Sequence, residues 1–468
     1  ALSFPVSAVE SRLVSPAAAL LPESPPLVPA PKDAGQTRDP EDRHQHGVCC
    51  ALTCPRYGTV QMAKSKFTFL CQTYYPDTQS TSQLFGDLLG KLAQREHEIS
   101  VICGYPVVVQ DPAQLSVGKY DEHKNISITR CGLRIQNKKN LLLRGLMYLS
   151  YVVSGTIQVW KHRKDDFIFG VTNPPFTPVW LWAIQKLFGF KYRIMLLDIF
   201  PDGLVALDQM SKGGIVARLW AWANRHAFAR ADQVLVLGRD MSELIQEKYG
   251  VPESKIEYIP HWSSFETSEA IPADQTNMWQ QEKLDGKFVV QYSGNMGLWH
   301  DMESIVRAAA LLKDSPHIQF LFIGEGRRKA GAYKLAQELG CENISWLPFQ
   351  PKETLKDSLS CCHMAIISQR RVVKGVAVPC KVYGILASGR PILALVPKDS
   401  EVEMIVNEEQ CGATAEPDDP EGIAAAIRQF AESPEQIVEM GKNSFNAFSE
   451  KYTIESAVEN FEAAWPTT

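Results

Sequence analysis

The sequence lacks the features by which several classes of protein are recognised. Its 468 residues carry 48 Lys and Arg against 53 Asp and Glu, so the net charge of −5 excludes the basic field of a general nucleic-acid-binding protein. The eleven cysteines form no CxxC pair and no zinc-finger spacing. This favours reduced thiols in a cytosolic protein over a metal site. The amino terminus has no basic stretch followed by an apolar core, and therefore does not look like a secretory signal.

A Pro- and Ala-rich segment, residues 1–61, precedes the first strong strand pattern. We interpret it as a disordered extension that need not belong to the native protein, with Met62 as the candidate start. An organellar transit peptide is the alternative. Against it count six acidic residues, which are Glu10, Glu23, Asp33, Asp39, Glu41 and Asp42.

Long uninterrupted apolar runs are also missing. The stretch 141–160 contains Arg144, and the stretch 176–190 is interrupted by Gln185 and Lys186, so neither predicts a transmembrane helix. Two interpretations remain, which are half-buried helices of the core and helices that dock at a bilayer interface. The second is supported by nearby basic and aromatic residues, namely Arg218, Trp220, Trp222, Arg225, His226 and Arg230.

Strand and helix patterns alternate from Phe67 onward, and a polar stretch near 263–285 divides them into two series. This rhythm predicts an α/β protein with two Rossmann-like, doubly wound domains that face a cleft. The expected parts are an amino-terminal domain at 66–262, a linker at 263–286, a carboxyl-terminal domain at 287–448, and a last helix at 449–468 that packs back onto the first domain.

Three turns in the second series have residues suited to phosphate binding. They are Ser293-Gly-Asn-Met-Gly297, Gly324-Glu-Gly-Arg327, and Pro379-Cys-Lys381 at the start of a short helix predicted at 381–387. Glycines let backbone amides approach a phosphate closely, and a lysine at a helix start adds charge there. A plain tight turn is the alternative for the first. In the second, Lys329 stands where a dinucleotide fingerprint needs glycine, which argues against a nicotinamide site.

The order and spacing of these turns resemble the donor-binding half of family-four glycosyltransferases of the GT-B fold. The bacterial O-antigen and colanic-acid assembly branch, with its fucosaminyltransferase-like members, is the most similar we can name. The resemblance covers about 67–465. In the first half it rests on segments in family order, which are Leu70-Cys-Gln-Thr-Tyr-Tyr-Pro-Asp77, His97-Glu-Ile-Ser-Val-Ile-Cys-Gly104, Val171-Thr-Asn-Pro-Pro175, Leu197-Asp-Ile-Phe-Pro-Asp202, Val236-Leu-Gly238 and Ile259-Pro-His-Trp262.

The resemblance implies a glycosyltransferase that moves a hexosyl or N-acetylhexosaminyl unit from a nucleotide-diphosphate donor to a hydroxyl of a glycan or lipid-linked acceptor. It implies retained anomeric configuration, no metal or other cofactor, and a cytoplasmic location with peripheral contact to the inner face of the membrane. Asp198 and Asp202 would face the acceptor and sugar, although a turn or helix cap is the alternative for Asp202. Lys381 would hold the diphosphate, together with donor-binding residues Ser293, Gly294, Asn295, Gly297, Glu325, Gly326 and Arg327.

One departure from the family pattern concerns the donor ribose. Many members carry two glutamates seven residues apart, and Gly384 stands where the second is expected. Glu401 is the substitute candidate for this contact. Because the glutamates are missing, a nucleotide-sugar-binding protein without catalysis stays open, as does a sugar-nucleotide epimerase of the same architecture. Specificity is expected in the loops 78–83 and 106–119.

Overall fold

The computed structural model describes residues 64–109, 112–134 and 141–465, which belong to one compact unit. The predicted disorder of 1–61 lies outside the described residues. Two parallel sheets organise the chain, each with helices on both faces. The prediction of two doubly wound α/β halves is confirmed.

The first lobe is built on an eight-stranded sheet in the order β3-β4-β2-β1-β5-β6-β7-β8, in which only β3 and β4 are antiparallel. Its strands are β1 (Lys66–Leu70), β2 (Glu98–Cys103), β3 (Tyr120–His123), β4 (Ile126–Arg130), β5 (Phe167–Val171), β6 (Tyr192–Leu196), β7 (Gln233–Val236) and β8 (Ile256–Tyr258). Its helices are α1 (Ser80–Gln94), α2 (Leu141–Lys161), α3 (Thr177–Phe188), α4 (Asp202–Ala206), α5 (Ile215–Arg230) and α6 (Arg239–Tyr249).

The second lobe is built on a six-stranded parallel sheet in the order β11-β10-β9-β12-β13-β14. Its strands are β9 (Phe288–Ser293), β10 (Ile318–Ile323), β11 (Ile344–Leu347), β12 (Met364–Ser368), β13 (Ile392–Leu395) and β14 (Gly412–Ala415). The remaining helices are α7 (Asn277–Gln281), α8 (Glu303–Leu311), α9 (Lys329–Glu338), α10 (Leu355–Ser360), α11 (Lys381–Ala387), α12 (Glu401–Glu408), α13 (Pro420–Ala431), α14 (Pro434–Lys451) and α15 (Ile454–Ala463).

The central strands form because they are short apolar runs that can be covered on both faces. All five residues of β5 and of β12 are buried, as parallel strands between helix layers require. In each sheet the order in which successive strands are added reverses beside the first strand, between β1 and β5 and between β9 and β12. Ligands of such sheets bind outside the carboxyl ends of the strands at these points.

The last helix, α15, lies against the first lobe. Arg95 donates to Glu462 at 2.6 Å, and the ring of Trp465 packs 4.9 Å from that of Phe67 and 5.2 Å from that of Phe167, centroid to centroid. These contacts join the carboxyl-terminal end of the chain to the core beneath β1 and β5.

Helix α2 is half-buried. It buries Tyr151 and Val159 but leaves Leu149, Val153 and Trp160 exposed. Over the part of the chain that the structure describes, no helix combines the length and apolar character needed to cross a membrane.

Candidate functional site

The turns after β9 and β10 form one closely packed backbone unit. The amide of Gly294 donates to Ile323 O at 2.9 Å, and the amide of Met296 donates to Glu325 O at 2.8 Å. A Cβ on Gly326, where φ is +153°, would lie 2.4 Å from Met296 O. Glycine at this position is therefore required by the contact between the two turns, apart from any contact with a ligand.

Lys381 is the first residue of α11. It reaches this unit from the other side of the point between β9 and β12 where the strand order reverses. Its Nζ donates to Tyr292 Oη at 2.8 Å and lies 4.0 Å from the centroid of the same ring. A Cβ on Gly294 would be 3.2 Å from Nζ, so the ammonium group lies against the glycine turn. Burial lowers the pKa of Lys381 to about 7. An anion at this point would restore the charged form.

His300 and Arg328 lie at the same edge of the sheet. Burial, with the positive charges of Lys381 and Arg328, lowers the pKa of His300 to about 3, so the imidazole is neutral. Its Nδ1 donates to Ser368 O at 2.6 Å, which leaves Nε2 as an acceptor. The amide of Arg328 donates to Met296 O at 2.9 Å. Arg328 is partly buried and its charge acts on His300, whereas the predicted Arg327 is exposed.

The other predicted donor-binding residues lie at the rim of this edge. Glu325 is exposed and accepts from Lys329 Nζ at 2.7 Å, and the same Nζ donates to Gly324 O at 2.9 Å. Asn295 is exposed, and its amide group lies close to Gly297 and Gly326. The residues from Ser293 to Gly297, Gly326 and Lys381 thus come together.

Asp198 also reaches this side of the cleft. It follows β6 and forms an isolated antiparallel bridge with Ala377, beside which the amide of Ile199 donates to Val376 O at 2.9 Å. Burial raises the pKa of Asp198 to about 6. Among the described residues no hydrogen bond to its carboxylate is found, although its charge is close enough to raise the pKa of Cys380, next to Lys381.

Asp202 does not join the Lys381 group. It begins α4 and accepts hydrogen bonds from Lys248 Nζ and Tyr249 Oη, both at the end of α6. Its carboxylate therefore joins two helices within the first lobe, and it does not act as the helix cap that was the alternative, because α4 has no side-chain cap hydrogen bond.

Glu401 lies where the lobes meet, and its carboxylate has several partners. Arg239 donates to it from the main-chain N at 2.6 Å, from Nε at 3.2 Å and from Nη2 at 3.1 Å, and Tyr258 Oη donates at 2.7 Å. The side chain is only 1% exposed. Its predicted contact with a donor ribose would compete with these four hydrogen bonds.

Gly384 has apolar neighbours. A Cβ there would lie 3.2 Å from a Leu359 methyl and 3.8 Å from the Phe265 ring. No side chain from α11 takes the place of the family glutamate, and Leu359 and Phe265 offer no hydrogen-bonding group to a ribose.

Three residues of the site were not predicted from the sequence. Tyr292, the partner of Lys381, is an ordinary buried aromatic of a strand, so nothing local marks it. Arg328 is adjacent to the predicted Arg327, and the sequence does not show that Arg328 is the more buried of the two. His300 follows the Ser293–Gly297 turn by three residues, and that spacing was the available signal.

A cavity of about 170 Å³ opens in the first lobe at the carboxyl ends of β1, β2 and β4. Gln72, Thr73 and Tyr105 line it from the strand ends, and Met147 and Tyr151 line it from α2. The hydroxyl of Tyr151 is itself buried and has no hydrogen-bond partner. The lining of the cavity combines apolar side chains with the polar side chains of Gln72 and Thr73. No set of three or more His, Cys, Asp or Glu side chains within the described ranges is placed to hold a metal ion.

Comparisons with known proteins agree with this geometry. The model of the family described as "Glycosyl transferase 4-like domain" matches residues 82–262, and that described as "Glycosyl transferases group 1" matches residues 273–447. WbjE from Pseudomonas aeruginosa, named as a glycosyltransferase, is 27% identical over 70% of this chain and 81% of its own length. WcaI from Escherichia coli strain K12, named as a colanic acid biosynthesis glycosyl transferase, is 28% identical over 76% and 89%.

Solved structures show the same fold. Sucrose-phosphate synthase from Thermosynechococcus elongatus superimposes with a TM-score of 0.67 at 16% identity, over 86% of this chain and 98% of its own. HepE from Anabaena, solved in complex with UDP, gives 0.63 at 15% identity over 85% and 98%. The chain belongs to the group 1, family-four glycosyltransferases of the GT-B fold.

Proposed function

We propose that this protein is a retaining glycosyltransferase of surface-polysaccharide assembly. It transfers a hexosyl or N-acetylhexosaminyl unit from a nucleotide-diphosphate sugar to a hydroxyl of a glycan or lipid-linked saccharide. WcaI, named for colanic acid biosynthesis, and HepE, solved with UDP, support the acceptor class and the donor class. Since sugar nucleotides are made in the cytoplasm, the proposal includes a cytoplasmic location.

The ammonium group of Lys381 against the glycine turn is the observation that carries the proposal. It lies beside Gly294 at the topological switch point between β9 and β12, where a doubly wound sheet binds its ligand. In the transfer step the bond between the anomeric carbon and the diphosphate breaks, and its electron pair leaves with the diphosphate. Lys381 stabilises the negative charge that develops there, and the glycines of the turn let the diphosphate approach it closely.

The acceptor side of the proposal rests on Asp198 and the first-lobe cavity. The acceptor oxygen forms the new bond to the anomeric carbon on the face that the diphosphate leaves, and its proton must pass to a base. Asp198, with a pKa raised to about 6 and no described donor on its carboxylate, takes this proton. The cavity beside Tyr151 receives the sugar that carries the hydroxyl.

In this proposal the positive charges of Lys381 and Arg328 balance the charge of the leaving group, so that no metal is required. Transfer is therefore expected to persist in the presence of EDTA. A complete and Mg²⁺-reversible loss of activity in EDTA would contradict this part of the proposal.

Incubation of the protein with a panel of nucleotide sugars and a lipid-linked saccharide acceptor tests the function. Release of the nucleoside diphosphate together with a glycosylated acceptor supports transfer. Conversion of one sugar nucleotide into another would instead identify an epimerase. Tight binding of a nucleotide sugar with neither product would identify a binding protein without catalysis. The anomeric configuration of the product, determined by NMR, tests retention.

A further inference from the structure

Three helices of the first lobe carry an exposed apolar surface. On α2, Leu146, Leu149, Val153, Ile157 and Trp160 recur every three or four residues, and each is at least 46% exposed. This is one continuous stripe along the helix. Of the 22 large hydrophobic side chains exposed among the described residues, twelve lie on these helices, which are Leu142, Leu143, Leu146, Leu149, Val153, Ile157, Trp160, Leu187, Ile215, Val216, Leu219 and Trp222.

The helices α2, α3 and α5 lie side by side on one face of the sheet. Their inner side chains, among them Tyr151, Trp180 and Phe228, enter the same core cluster. Tyr151 packs on Trp180 across α2 and α3, and Trp182 packs on Trp222 across α3 and α5. The outward sides of the three helices therefore form a single surface, which we call the apolar face. Isolated exposed hydrophobic residues need no explanation, but a contiguous patch does.

The charges on the same helices all have one sign. A chain with 53 acidic residues has no Asp or Glu in α2, α3 or α5. On α3, Lys186 Nζ lies 4.0 Å from the ring centroid of Trp182. The basic residues of these helices are Arg144, Lys161, Lys186, Arg218, Arg225 and Arg230.

We propose that the apolar face docks on an anionic lipid bilayer. Apolar and aromatic side chains among lysines and arginines, without carboxylates, match the chemistry of an interface with acidic headgroups above acyl chains. A protein partner of ordinary composition would not require all carboxylates to be absent. Because the overall charge is −5, electrostatic attraction to an anionic surface has to come from the local field of these basic residues.

Docking would also define the substrate class of the acceptor, and in this respect the inference rests on the proposed function. Helix α2 takes part in both features, since it carries the exposed stripe and also supplies Met147 and Tyr151 to the cavity. An acceptor whose lipid stays in the bilayer could thus present its sugar to the cavity without leaving the membrane. The inference selects a membrane-embedded lipid-linked saccharide over a free glycan.

Co-sedimentation of the full chain with vesicles tests the docking. One set contains phosphatidylglycerol and phosphatidylethanolamine in equal parts, and the other contains phosphatidylcholine alone. We expect binding to the anionic vesicles that weakens with salt, and that falls at least about tenfold in Leu146→Asp/Val153→Asp. Arg218→Gln is expected to weaken it about fivefold, the effect of one basic residue near an anionic surface.

The chain offers a matched control. Leu311→Asp/Val438→Asp changes the same residue types on α8 and α14, at exposures of 46% and 56% against 47% and 56% for Leu146 and Val153. This variant is expected to bind anionic vesicles as the wild type does. Equal loss in both double variants, or no binding of the wild type to either vesicle, would overturn the proposal.

Two further measurements separate the possible explanations. Sedimentation velocity tests whether the face instead joins two copies of the chain, and a dimer that Leu146→Asp/Val153→Asp dissociates, without vesicle binding, would refute docking. Binding of nucleotide sugars, measured in detergent-free solution, should be unchanged in both double variants. If nucleotide sugars bind while vesicles do not, the docking proposal fails alone; if vesicles bind and no nucleotide sugar does, the proposed function fails instead.

Discussion

Replacement of Arg239 by methionine is expected to lower the free energy of unfolding by about 3 kcal/mol. Glu401, on the second lobe, is 1% exposed and accepts two of its four hydrogen bonds from the Arg239 guanidinium. Breaking a buried ion pair from one side costs about 3–5 kcal/mol, because the remaining charge stays buried without its partner. We take the lower end, since the Arg239 side chain is 27% exposed and the main-chain N of residue 239 still donates to Glu401.

Urea unfolding of Arg239→Met, Glu401→Gln and the double variant measures this. Glu401→Gln alone should cost about 1–2 kcal/mol, because Arg239 keeps its ion pair with Glu408. The loss of unfolding free energy in the double variant should be smaller than the sum of the two single losses by about 1–2 kcal/mol. Lys334→Met, which breaks a pair with both side chains exposed, is the control and should change stability by less than about 0.5 kcal/mol.

The same variants test whether Glu401 contacts the donor. If Arg239→Met unfolds at the wild-type urea concentration, or if Glu401→Gln loses nucleotide-sugar binding with unchanged stability, the ion pair does not join the lobes as we argue. The second result would support the predicted contact between Glu401 and the ribose.

Three further outcomes are expected. Gly326→Ala should lower the free energy of unfolding by about 1–3 kcal/mol and weaken donor binding, because φ is +153° and the added Cβ would lie 2.4 Å from a main-chain oxygen. Gly331→Ala in α9 is the control. Its added Cβ would have no atom within 4 Å, so it should raise the free energy of unfolding by about 0.5–1 kcal/mol in the same urea assay. Nucleotide-sugar affinity, followed by calorimetry, should be constant below pH 7 and fall about tenfold per pH unit above it, since the ammonium of Lys381 loses its proton with a pKa of about 7 while bound diphosphate favours the protonated form; a flat profile would contradict this. Trp465→Ala should cost about 3–5 kcal/mol of unfolding free energy, because its ring packs 4.9 and 5.2 Å from two phenylalanine rings of the first lobe.

The buried parallel strands were the most predictable part of the fold. Phe167–Val171 and Ile318–Ile323 can be recognised as strands in the sequence, because strands covered on both faces are apolar along almost their whole length. Two of the edge strands lack this signal. Tyr120–His123 is a polar antiparallel edge strand, and Gly412–Ala415 lacks large apolar residues, so neither has the pattern of a central strand.

The site was predictable only where its chemistry lies in one short segment. Lys381 and the Ser293–Gly297 turn could be recognised because glycine spacing and a lysine at a helix start are local signals. The partners of Glu401 could not, since Arg239 is 162 residues away in the chain and only the tertiary fold brings the two together. For the same reason, Tyr292 becomes a site residue only because Lys381 reaches its hydroxyl.

The Lys381→Ala variant tests most directly the claim that this cleft holds a nucleotide diphosphate against Lys381. In the wild type, calorimetry should show tighter binding of the nucleoside diphosphate than of the monophosphate. The variant should lose this difference in affinity. Its sugar-transfer rate should fall at least about a hundredfold, because removing one group that stabilises a developing negative charge has an effect of this size. Its circular dichroism should match that of the wild type, and the exposed Lys398→Ala should retain activity. Wild-type turnover in Lys381→Ala would contradict the account.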